Sequence, residues 1–128
     1  MSLSQKNSPY HHWEFLNIHN GDRLRIAPER GGLITEWRCN GRDILYFDLE
    51  RFLQKGKSIR GGIPILFPIC GNLPNNTLQL DKGNFTLNQH GFARDSNWQI
   101  KFINDQDSFL LTLFDNELTR SHYPYSFV

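Results

Sequence analysis

Asn-Gly occurs twice in this chain, at Asn20-Gly21 and Asn40-Gly41, each time between runs of strand-forming residues. Both residue types tolerate positive φ, so the pair closes a hairpin and sets which flanking residues face each other. Residues 13–18 precede the first pair, and Arg23-Leu24-Arg25-Ile26 alternates polar and apolar after it. Ahead of the second pair, Leu33, Thr35, Trp37 and Cys39 share one face of a strand, and Ile34, Glu36 and Arg38 the other. The chain then turns into Ile44-Leu45-Tyr46-Phe47. Two further hairpins follow. Residues 78–80 and 85–87 bracket the turn Asp81-Lys82-Gly83-Asn84, and residues 98–103 and 109–114 flank a polar turn at 104–107. Residues 109–114 are apolar on both faces, which predicts a position in the middle of a sandwich. Only residues 48–55 carry helical spacing, with Leu49, Phe52 and Leu53 on one face behind an Asp48 N-cap. The predicted class is all-β, an antiparallel β-sandwich.

Composition narrows the function. A chain of 128 residues suits one domain, and 14 Lys plus Arg against 13 Asp plus Glu leave a formal charge of +1. No bulk field draws such a chain to nucleic acid or to anionic membranes. The longest nearly apolar run, residues 63–70, is interrupted by two prolines and falls far short of a bilayer span. Neither nucleic acid nor membrane is expected as a partner. Cys39 and Cys70 form no framework, and the polar start lacks a secretory h-region, so a cytoplasmic protein is expected, with residues 1–11 a flexible leader. The sequons at Asn75 and Asn84 are then unused. His11 and His12 stand far in sequence from any partner ligand, and no metal site is expected.

Two segments carry chemistry. In Lys57-Ser-Ile-Arg-Gly-Gly-Ile-Pro-Ile-Leu-Phe-Pro-Ile-Cys-Gly71, Pro64 and Pro68 each remove a backbone donor, which excludes a regular central strand. Gly61-Gly62 lets a ligand approach the backbone closely, and the adjoining Arg60 guanidinium suits a phosphate or carboxylate. The alternative is a buried irregular crossing with Arg60 in a structural ion pair. In the second, Gln89-His90-Gly91-Phe92-Ala93-Arg94-Asp95, His90 can donate to a sugar oxygen or exchange a proton, and Asp95 can orient either His90 or Arg94. A purely structural His90 is the competing reading. No serine occupies a G-x-S-x-G elbow, and neither cysteine adjoins an activating charge, so nucleophilic catalysis is not expected.

Together, Arg60-Gly-Gly-Ile-Pro-Ile-Leu-Phe-Pro68 with Gly71, and His90-Gly-Phe-Ala-Arg-Asp95 with Trp98, closely resemble the aldose 1-epimerase (mutarotase) family. The likeness is nearest to its hexose-6-phosphate mutarotase branch. The resemblance implies a galactose mutarotase-like supersandwich and interconversion of α and β anomers by acid–base ring opening, without a cofactor. It implies that His90 contacts the sugar near its ring oxygen. Arg60 and Arg94 would hold a 6-phosphate, with Gly61, Gly62 and Asp95 beside them. The implied partner is a small sugar or sugar phosphate.

Tyr123-Pro-Tyr-Ser-Phe127 resembles a segment that begins a mid-domain strand in this family, which is about twice as long. The base glutamate and the acid histidine lie in the family's second half, and Glu117 and His122 do not match them. Residues 1–128 are therefore expected to be the N-terminal part of one mutarotase-like domain, nearly inactive alone. Self-association or a missing C-terminal half would complete it, since Val128 ends within an apparent strand. A non-catalytic sugar-binding module and a structural fragment needing a partner are the alternatives.

Overall fold

The computed structural model describes residues 2–103 and 108–128. Strands β1 (Ser2–Lys6), β2 (His12–Leu16), β3 (Arg23–Ala27), β4 (Leu33–Cys39) and β5 (Arg42–Asp43) form one antiparallel sheet in chain order. Two hairpins stand beside it: β6 (Thr77–Leu80) with β7 (Gly83–Thr86), and β8 (Gln99–Ile103) with β9 (Ser108–Thr112). Two short helices complete the elements, α1 (Leu49–Leu53) and α2 (Glu117–His122). The expected all-β antiparallel class is what the chain adopts.

The two Asn-Gly pairs act differently. Asn40 and Gly41 both take positive φ, 50° and 73°, and close a two-residue turn between the paired Cys39 and Arg42. At the first pair the loop is wider, running from Asn17 to Asp22 and held by Asn17 N–H donating to Asp22 O at 2.9 Å. Asn20 and Asp22 side chains bond each other there, so the turn is built from side chains as well as backbone. Residues 2–6, within the stretch expected as a flexible leader, form β1 and pair with β2 from Ser2–Leu16 to Lys6–His12. The expected turn at 104–107 lies outside the described residues.

The two faces of the large sheet have different fates. On one, Phe15 is buried against Phe102 of β8 and Phe109 of β9, with ring centroids 5.5 and 4.9 Å away. That places the β8–β9 hairpin as a second layer and makes the arrangement sandwich-like. Residues 109–114 do not sit in its middle: β9 pairs with β8 alone among the described residues, and Leu110 and Phe114 are exposed. Pattern alone cannot tell a doubly covered strand from one covered on a single side.

The opposite face carries a cross-strand row, Glu14–Arg25–Glu36, with ion pairs of 2.9 and 3.0 Å. Burial opposes the Arg25 charge, but the hydrogen bond to Glu14 and the field of Glu36 outweigh it and raise its pKa. At the end of this face Ala27, Leu33 and Phe52 form a core with Tyr10, Phe47 and Ile59 around it. Helix α1 exists to deliver Phe52 to that core. Asp48 caps it as expected, its carboxylate accepting from Arg51 N–H at 2.9 Å. Burying a Phe side chain contributes about 2–3 kcal/mol, more than a five-residue helix supplies by itself.

The expected strand at Tyr123–Phe127 is not formed. Residues 123–128 instead lie as an irregular segment, with the Tyr123 and Phe127 rings on Phe67 and Phe127 on Phe92. Pro124 lacks a ladder donor, and aromatic packing takes the place of strand pairing. Preceding it, α2 is held by a capping box between Asn116 and Thr119, a helix that apolar periodicity did not reveal because its outer face carries the exposed Leu118.

Candidate functional site

The segment after α1 crosses the sheet as single bridges rather than as a strand, Gly61 against Phe47 and Ile63 against Ile34. Asp48 N–H donates to Arg60 O at 3.0 Å and Gly62 N–H to Tyr46 O at 2.8 Å, which clamps the glycine pair between two bonds. Both glycines take positive φ, 88° and 71°. A Cβ on Gly61 would stand 2.2 Å from Tyr46 O, and one on Gly62 would stand 2.6 Å from Ile34 O. Their small size is thus required by neighbouring backbone. Both glycines also line the cavity described below.

The second segment is tied to the first in the same manner. Phe92 and Ala93 N–H both donate to Phe67 O, at 2.9 and 3.1 Å, and Gly91 bridges Phe67. A Cβ on Gly91 would lie 2.2 Å from Phe67 O. A short 3-10 turn, Ala93–Asp95, then carries Arg94 and Asp95, and Trp98 seals it by donating Nε1–H to Ala93 O at 2.9 Å.

These ties bring Arg60, Gly61, Gly62, His90, Arg94 and Asp95 to the wall of one cavity of about 650 Å³. That volume falls in the range of small-molecule sites. The six residues singled out from two distant motifs are together. Arg60 is exposed and has no ion pair among the described residues; its one bond, to Ile59 O, is long at 3.4 Å. Arg94 donates to Gln89 O at 3.2 Å and lies 3.8 Å from the Asp95 carboxylate. Asp95 thus lies near Arg94, and no hydrogen bond or ion pair joins it to His90 among the described residues.

Sequence reading missed two cations on this wall, Arg30 and Lys57. Arg30 is set by its guanidinium, 4.2 Å over the Phe52 ring, and by a bond to Phe52 O. A signal for it existed: Arg30-Gly31-Gly32 repeats the Arg60-Gly61-Gly62 tripeptide. Gly31 is needed because a Cβ there would meet Arg94 O at 2.1 Å, so the repeat docks directly on the second motif. Four cations thus line the cavity against two carboxylates, Glu29 and Asp95, and Glu29 already faces His11 at 3.1 Å. The local field favours an anion although the whole chain is near neutral.

Among the described residues no group of three or more His, Cys, Asp or Glu is placed to hold a metal ion. Among the same residues no helix is long and apolar enough to cross a membrane.

Residues 14–128 match the aldose 1-epimerase family. A crystal structure of a Synechocystis protein superposes with a TM-score of 0.83 at 41% identity, over 98% of this chain and 44% of that one. A galactose mutarotase related enzyme from Lactobacillus acidophilus gives a TM-score of 0.70 at 26% identity, over 90% of this chain and 36% of its own. A Cenchrus ciliaris protein with the provisional name glucose-6-phosphate 1-epimerase is 38% identical over 71 residues, 55% of this chain and 18% of that protein. A Salmonella typhimurium protein of the same provisional name is 28% identical over 102 residues, 77% of this chain and 32% of its own. The chain thus spans about a third or less of these two relatives.

Proposed function

This chain belongs to the aldose 1-epimerase family, and on that premise we propose that its cavity grips a hexose 6-phosphate, with the base and acid of anomer exchange supplied from outside these 128 residues. The observation that carries the reading is the gathering of Arg30, Lys57, Arg60 and Arg94 around one cavity of about 650 Å³ that His90 also lines. A phosphate dianion is bound by charge-assisted hydrogen bonds, each worth about 1.5–3 kcal/mol, and guanidiniums offer them in parallel pairs. An unphosphorylated hexose leaves those cations without a partner, so the phosphate supplies the discrimination. The provisional names of the two relatives agree with this substrate class.

Anomer exchange needs a base at the C1 hydroxyl and an acid at the ring oxygen. C1 then turns about the C1–C2 bond in the open aldehyde, and the hydroxyl re-adds to the other face. Positioned proton transfer of this kind contributes about 10²–10⁴-fold. The carboxylates on the wall, Glu29 and Asp95, are each turned to a cation or a histidine of the protein. The residues that family resemblance assigns as base and acid have no match in this sequence. The 128 residues therefore grip the sugar phosphate and leave its anomers exchanging near the buffer rate.

The test is two-dimensional exchange NMR on glucose 6-phosphate and glucose at matched concentrations, with line broadening read as binding. Binding of the phosphate ester alone, with exchange as in buffer, is the expected outcome. Equal broadening of both sugars refutes the phosphate grip, and full mutarotase rates refute the absence of acid and base.

A further inference from the structure

His90 and Gly71 are joined twice. His90 N–H donates to Gly71 O at 2.8 Å, and Gly71 N–H donates to His90 Nδ1 at 2.8 Å. Both backbones are in the left-handed half of φ, 66° at His90 and 103° at Gly71, which is what lets the two residues face each other. Left-handed φ is uncommon for a residue with a side chain, and its cost is met here by the paired bonds. The geometry has a chemical consequence. An amide N–H can donate only to a lone pair, so Nδ1 must be the unprotonated nitrogen of the ring. The proton of the neutral imidazole then resides on Nε2. Nε2 makes no hydrogen bond to the protein among the described residues, and His90 is one of the residues that line the cavity.

We propose that the Gly71 amide is a positioning group that holds His90 in the Nε2–H tautomer, so that Nε2–H is the polar atom the ring offers to a ligand. This rests on the sugar-phosphate reading only for the identity of the ligand. The Gly71 amide engages the lone pair at Nδ1, which leaves Nε2–H as the ring's donor. It donates a hydrogen bond to an acceptor such as a ring or hydroxyl oxygen. Cys70, the residue before Gly71, is exposed and makes no hydrogen bond of its own among the described residues, so the lock depends on the backbone of the Pro68–Gly71 stretch.

The test is nitrogen–proton correlation NMR on the full chain labelled at the imidazole nitrogens, at pH 7.5. The His90 signal is assigned by its loss in His90→Asn, a residue that tolerates left-handed φ. One tautomer is expected, with Nδ1 in the unprotonated range and Nε2 in the N–H range. An Nδ1–H tautomer, an imidazolium, or averaged shifts from a ring exchanging between tautomers overturns the lock. Glucose 6-phosphate is then added. A shift at Nε2–H with Nδ1 still unprotonated supports both the lock and the sugar reading. Protonation of Nδ1 on binding overturns the lock while binding stands. No shift at all, with the tautomer as expected, upholds the lock and refutes the sugar reading.

Discussion

Gly61→Ala puts the packing argument at its sharpest point. The added Cβ would sit 2.2 Å from Tyr46 O and 2.8 Å from Phe47 Cα, so the two backbone segments must part. Parting stretches the Gly62–Tyr46 bond of 2.8 Å and the Asp48–Arg60 bond of 3.0 Å, each worth about 0.5–1.5 kcal/mol net. A φ of +88° adds about 1–2 kcal/mol for a residue with a Cβ. The combined cost is about 2–5 kcal/mol, a large share of the roughly 5–15 kcal/mol that holds a domain together. Gly21→Ala is the control. Its φ of +75° carries a similar conformational cost, but nothing lies within 4 Å of the added atom. The two variants therefore differ by the contact alone, about 1–3 kcal/mol. In urea, with a slope of about 1–3 kcal/mol per M, the midpoint of Gly61→Ala should lie roughly 1 M below that of Gly21→Ala. Coincident midpoints would show that the bridge to Phe47 does not need a glycine and would return Gly61 to the role of ligand approach.

Other perturbations read other parts of the chain. Asp48→Ala removes the cap of α1 and should cost about 0.5–2 kcal/mol in a denaturant titration, with Asp48→Asn retaining most of it; equal losses for the two would refute the cap. Arg60→Ala should weaken glucose 6-phosphate binding by about 10–100-fold while leaving the thermal midpoint within a degree or two, because its guanidinium has no ion pair among the described residues. Isothermal titration and a melting scan decide this, and an unchanged affinity removes Arg60 from the grip. His12 is fully buried, its Nδ1–H donating to Tyr10 O, and burial holds its pKa below the ordinary histidine value. A depressed folded pKa means that its contribution is present above about pH 6.5, where the unfolded chain is neutral too. That contribution is lost as pH falls below this value, by up to about 1.4 kcal/mol per pH unit. Urea midpoints at pH 7.5 and 5.5 should diverge in the parent and converge in His12→Gln; an identical decline in both would exonerate His12.

Family, strand class and the two runs that meet at the cavity were legible in the linear chain because each rests on local chemistry. Asn40-Gly41 accepts positive φ and closes a hairpin wherever it stands, and Asp48 caps a helix with its own carboxylate three residues on. The Arg60 and His90 motifs are contiguous runs, so their members reach the cavity as blocks. What stayed hidden depends on residues that meet only after folding. Gly61, Gly62, Gly31 and Gly91 look like permissive loop glycines, yet each is required by a carbonyl from another segment: Tyr46, Ile34, Arg94 and Phe67. Arg30 is recruited to the cavity by Gly31 packing under Arg94, and Phe52 holds its guanidinium from below. The 123–128 segment chose aromatic docking on Phe67 over a strand because ring burial competes with ladder bonds only where such a ring is present. The sequence by itself marked Arg60 and Arg94 as groups able to meet an anion, since residue type alone sets charge and hydrogen-bonding capacity; that Arg30 and Lys57 join them was decided by the fold. Only the tertiary structure decided how His90 is presented. A ring with two available tautomers is, in our proposal, held as the Nε2–H donor because a particular backbone N–H, that of Gly71, is brought against Nδ1.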